Sequence, residues 1–137
     1  MPHDAELVAE TRGWLELAKN DLGAGAIDCA SDPPFTGDAA FHAQQAAEKS
    51  MKGFLTWHNT IFRKTHNLGE IGEHRGKIDP APEPLLRRAA ILTDYAWKYR
   101  YPGEPQKPPR DEAECALALA REVFEAMIAR LPKEVRP

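Results

Sequence analysis

Cysteine is scarce: Cys29 and Cys115 are the two thiols in 137 residues. That is too few for a disulfide framework and points to a reducing, cytoplasmic setting. No apolar run approaches the ~18–20 residues of a membrane-spanning helix. The start, Met1-Pro2-His3-Asp4-Ala5-Glu6, has no basic segment leading into an apolar one, so it does not read as a secretory signal. Positive charge is not in excess. The 18 Lys+Arg against 21 Asp+Glu leave a formal net charge of −3 with five neutral His, which argues against coating duplex nucleic acid through charge alone and leaves a local site open. Val and Ile are few and never alternate with polar residues over a strand length, which disfavours a sheet. A Gly-rich phosphate loop, an HExxH motif and a Cys/His cluster are all missing, so neither a Walker-type nucleotide site nor a metal site is expected. Cys29 and Cys115 read as packing residues, with Cys115 on the apolar side of the last helix.

Proline is plentiful and clustered. Pro33-Pro34, then Pro80, Pro82 and Pro84, then Pro102, Pro105, Pro108 and Pro109 make three breaks that no helix interior tolerates. Between them the apolar spacing is helical. A first helix is expected from about Asp4, its N-cap, to about Ile27, with Leu7, Thr11, Trp14, Ala18 and Leu22 on one face and Gly23 and Gly25 loosening its end. A second runs from about Asp38 to His58 and presents Ala43, Ala47, Ser50, Phe54 and Trp57. A short third covers about Asn67 to Lys77. The fourth starts near Pro84, carries Leu85, Ala89, Leu92, Ala96 and Tyr99, and stops at Tyr101-Pro102-Gly103. The fifth, about Asp111 to Leu131, turns Ala116, Leu117, Ala120, Val123, Phe124, Met127 and Ile128 to the core. Residues 1–137 thus read as one all-α domain, an up-and-down antiparallel bundle of four long helices plus a short one. Pro102 to Arg110 forms the one long connection, stiff and extended.

The second helix is the most informative segment. At 100° per residue, Phe41, Gln45, Glu48 and Lys52 stack within about 40° of one another, with Gln44 and Leu55 flanking the line. Ala43, Ala47 and Ser50 lie nearly opposite. This stripe fits a solvated face with an i,i+4 Glu48–Lys52 pair, contributing about 0.2–0.5 kcal/mol. It fits equally a groove or interface in which Gln45, Glu48 and Lys52 form a satisfied polar network. Lys49, Lys52, Arg63 and Lys64 add a modest basic patch.

Three blocks extend this reading: the run from Phe41 to Lys52 (FHAQQAAEKSMK), then His66-Asn67-Leu68, then Tyr95 followed by Arg100-Tyr101-Pro102. In this order and spacing the chain resembles the HEPN (higher eukaryote and prokaryote nucleotide-binding) domain. The resemblance implies a bundle of four or five helices that forms a homodimer. It also implies a minimal nucleotidyltransferase as partner, as in toxin–antitoxin pairs, and a nucleotide or RNA as ligand, with no cofactor beyond a possible bound nucleotide. Many such domains are metal-independent ribonucleases built on Arg, four to six residues, then His. That spacing is absent here: Arg63 and His66 are separated by two residues, Arg63 and His74 by ten, and no His follows Arg75 or Arg100. The reading therefore leans away from an enzyme and towards binding. The residues expected to serve it are Gln45, Glu48, Lys52, His66, Tyr95 and Arg100. Lys52 and Arg100 would engage phosphate, Tyr95 would stack a base, and Glu48 would orient the cations. His66 is the one candidate for proton transfer. Two alternatives stay open: a ribonuclease toxin with an altered Arg/His site, and a purely structural dimeric module.

Overall fold

The computed structural model describes residues 4–60, 64–103 and 107–137, and these contain helices and no strand. Helix α1 spans Ala5–Ala30 and is capped by Asp4, whose carboxylate accepts from the Glu6 amide at 2.8 Å. It buries Thr11, Leu15, Ala18, Leu22 and Cys29, while Leu7 and Trp14 are half-buried, so its core face is turned slightly from the expected one. Gly23 and Gly25 do not loosen its end. The helix runs on to Ala30, and Gly25 is small because a Cβ there would collide with Leu117 of the last helix. The stop is set instead by Asp32-Pro33-Pro34.

Helix α2, Thr36–Trp57, returns antiparallel to α1, so that Gly53 lies against Trp14 and Leu15 and His42 against Asp21 and Asp28. Ala39, Ala40, Ala43, Ala46 and Ala47 are all fully buried on it. Small side chains let the backbones approach closely, which is what the alanine-rich run provides. Helix α3, Leu68–Ile78, is capped by Asn67, and its Arg75 is fully buried. The Arg75 guanidinium lies 4.2 Å above the Phe54 ring and bonds the carbonyl and carboxylate of Asp79.

The fourth long helix is not formed. Helix α4 covers only Glu83–Ala89, and the chain tightens into a 3₁₀ helix over Ala90–Ala96. The buried positions explain it: Leu86, Ala89 and Leu92 recur every third residue, the spacing that places side chains in line on a 3₁₀ turn. The 3₁₀ helix ends at Ala96, and three residues on Tyr99 takes a left-handed backbone, φ 66°. Helix α5, Arg110–Ile128, starts beside the α1–α2 turn, where the Arg110 guanidinium donates to Ser31 O at 3.3 Å. It buries Ala113, Ala116, Leu117, Ala120, Val123, Phe124 and Met127. Cys115 is exposed, on the opposite side from the core; only Cys29 packs inside. A last 3₁₀ turn, Lys133–Val135, tucks Val135 under the fold.

Candidate functional site

The polar stripe of α2 is not a solvated face. Glu48 is 3% and Lys52 6% exposed, and Gln44 is fully buried. Gln44, Glu48 and Lys52 succeed one another at i,i+4, so their side chains stack along one line. A carboxylate removed from water needs each oxygen satisfied, and Glu48 achieves this. Its Oε2 accepts from Lys52 Nζ at 3.1 Å. Its Oε1 accepts from Gln44 Nε2 at 3.2 Å and lies 2.6 Å from His66 Nδ1. Gln44 Nε2 also donates to His66 O at 3.0 Å, and Gln45 Nε2 donates to Gln44 Oε1 at 2.7 Å. Lys52 Nζ is also 5.7 Å from the centre of the Trp14 ring.

His66 enters this network from the loop before α3, which is itself pinned at three points. Thr65 Oγ1 accepts from the Asn67 amide, Asn67 Oδ1 caps Glu70 N, and Leu68 N donates to Thr93 Oγ1 of the 3₁₀ helix, all at 3.0–3.1 Å. A carboxylate only accepts, so the His66 Nδ1 atom facing it carries hydrogen. The side chain is 64% exposed, and Nδ1 is the ring nitrogen bound within the fold. The result is an imidazole held by a buried carboxylate with its second nitrogen available, an arrangement that can take up a proton or donate to an anion such as phosphate.

Arg100 and Tyr95 are placed elsewhere. The Arg100 guanidinium stacks 3.7 Å above Phe41, two turns before Glu48 on α2, and does not pair with Glu48. Stacking leaves its N–H fork free to meet an anion at the edge of the ring. Tyr95 is half-buried, stacked on Tyr99 at 6.3 Å. Burial, followed by a hydrogen bond to Glu112 of α5 and that residue's charge, pushes its phenol well above the usual tyrosine range. Tyr95 thus packs towards α5. The structure joins Gln45, Glu48, Lys52 and His66 in one network and gives Tyr95 and Arg100 other partners. Gln44, the residue that ties Glu48 to the His66 carbonyl, is absent from the expected set. Its signal was its spacing of four from Glu48. Arg63 lies outside the described residues.

Among the described residues no group of three or more His, Cys, Asp and Glu side chains is placed to hold a metal ion. No described helix is long and apolar enough to cross a membrane. No curated protein and no solved structure matches the chain. The family model of the HEPN domain matches residues 11–131, from the first buried residue of α1 to Leu131, just beyond α5. With most of its length inside that match, and the Glu48–His66 pair lying within it, the chain belongs to the HEPN domain family.

Proposed function

We propose that this HEPN domain binds the phosphate of a nucleotide or an RNA end at the rim of α2, acting as the non-catalytic partner of a minimal nucleotidyltransferase in a toxin–antitoxin or stress system. The observation that carries the reading is His66: an exposed imidazole fixed at 2.6 Å by a buried carboxylate. Two further cations lie on neighbouring segments: Arg100, stacked on Phe41 two turns before Glu48, and exposed Lys64, two residues before His66. Lys52 is bonded to Glu48 and buried, so phosphate contact falls to His66 and Arg100, while Lys52 keeps Glu48 in place. Exposed Trp97 and Tyr101 flank Arg100 in the sequence and offer faces for a base. A homodimer is part of this proposal, with large apolar side chains such as Ile27, Phe35 and Ile91 left exposed on the single chain.

Thermal unfolding with each nucleoside mono- and triphosphate, and with a short single-stranded RNA, tests the proposal. A ligand at ~100 times its dissociation constant stabilises by about 2.7 kcal/mol, which for this length is a shift of roughly 9 °C. The shift should vanish in His66→Ala and Arg100→Ala. No shift with any of these ligands, or a shift that survives both substitutions, overturns the site. A second reading rests on the same dyad: a carboxylate-held imidazole is also the arrangement of a general base, and RNA cleavage by the pure protein that is lost in His66→Ala would favour an altered-site ribonuclease.

A further inference from the structure

On the side of α2 that meets α1, a second, partly buried charge cluster sets one imidazole between two carboxylates. Asp21, 9% exposed, lies two turns before Asp28 on the same face of α1. Its Oδ2 accepts from Lys49 Nζ at 2.7 Å, and its Oδ1 lies 2.9 Å from His42 Nδ1. The other nitrogen of that ring, Nε2, is 3.9 Å from Asp28 Oδ2. Asp28 Oδ2 is closed off from solvent and accepts no hydrogen bond. A neutral imidazole cannot serve both carboxylates. With hydrogen on Nδ1 it turns a lone pair to Asp28, and with hydrogen on Nε2 it turns one to Asp21 at closer range.

We propose that His42 carries hydrogen on both ring nitrogens at neutral pH, Nδ1 facing Asp21 and Nε2 facing Asp28, so that the seam between α1 and α2 is a proton-dependent clamp. The charges agree. Asp21 and Lys49 cancel, Asp28 is left over, and the imidazolium brings the cluster to neutrality. Exposed Asp38, one turn before His42 on α2, adds negative charge that favours holding the proton. Burial pushes the Asp28 carboxyl up, the His42 charge pulls it back, and Asp38 pushes it up again. From α5, Glu114 and Arg110 act on the adjacent Cys29 thiol in opposite directions and bring no net cation to the seam. The folded chain therefore binds more protons than the unfolded one near neutrality, and stability falls as pH rises through that range, by at most tenfold in the folding equilibrium per pH unit.

The test is unfolding of the full chain between pH 5.5 and 9 for wild type and Asp28→Asn. The asparagine amide donates to a neutral His42 Nε2, so the variant should lose most of the fall in melting temperature that wild type shows between pH 6 and 8. Any contribution from His66 is common to both and cancels in the difference. Nitrogen-15 imidazole spectra of the unaltered protein give an independent reading: both His42 nitrogens should still carry hydrogen at pH 7.5. Parallel pH curves for the two proteins, or an unprotonated Nε2 with Asp28 ionised at pH 7, overturn the clamp. Should Asp28→Asn fail to fold, the spectra alone decide.

Discussion

Replacing Glu48 by Gln preserves the shape of the α2 network and removes its charge. Its consequence can be worked from exposure. The Glu48 and Lys52 side chains are 5% and 8% exposed, whereas that of His66 is 64% exposed. Removing one partner of a buried ion pair costs about 3–5 kcal/mol, because the other charge stays in low dielectric without its counter-ion. A pair open to solvent contributes at most about 1 kcal/mol. For 137 residues the unfolding entropy is about 0.29 kcal/mol/K, from roughly 2.1 cal/mol/K per residue. Glu48→Gln should therefore lower the melting temperature by about 10–17 °C and His66→Gln by no more than about 3 °C. Glu48→Leu combined with Lys52→Met removes both buried charges together and should recover most of the loss, as apolar replacements of buried pairs do. Differential scanning calorimetry of the four proteins at pH 7 reads all of these values. A Glu48→Gln protein within about 3 °C of wild type, or a double variant as unstable as the single one, would refute the argument.

Two further outcomes follow from the packing and the helix ends. A Cβ at Gly53 lies 3.1 Å from Leu15 Cδ2 and 3.3 Å from Trp14 Cβ, so Gly53→Ala should be near neutral, close contact offsetting the gain of about 1 kcal/mol in helix propensity. Gly53→Leu should cost about 1–3 kcal/mol in urea unfolding by forcing α1 from α2. At the end of α3 the Ala81 amide, then Arg130 and Arg75, hold the Asp79 carboxyl below its ordinary value against some burial. A lowered acid stabilises the fold above the usual carboxylate range and loses that contribution as pH falls through the lowered value. Asp79→Asn should therefore flatten the acid limb of stability between pH 5 and 2, and superimposable limbs in the two proteins would contradict it.

What the sequence made legible divides by the range of the cause. Helices α1, α2 and α5 could be read because their causes are local: the Asp4 cap, the Pro33-Pro34 and Pro108-Pro109 stops, and apolar residues at helical spacing. The errors have distant causes. Gly25 looked like a helix breaker because nothing near it in sequence shows that Leu117 occupies the space of its Cβ. Nothing near Arg75 in sequence shows that it is enclosed by Phe54, Asp79 and Met127, drawn from two other helices and the turn after its own. The expected fourth helix was interrupted because the spacing of Leu86, Ala89 and Leu92 fits three residues per turn as well as 3.6.

The site shows the same division with a sharper consequence. That Phe41, Gln45, Glu48 and Lys52 share a line follows from helical geometry alone. Whether such a line is wet or dry depends on what covers it, and the cover here is the loop of residues 64–67 held down by Thr93. Once covered, α2 is buried on both its alanine face and its polar face. A helix enclosed on both sides must satisfy its charges from within the fold, so Glu48 gathers Lys52 and Gln44 from its own helix and His66 from the loop. Of those partners only His66 also reaches solvent. The chemistry of this face therefore converges on one imidazole, although the linear Arg-to-His spacing of a ribonuclease is missing.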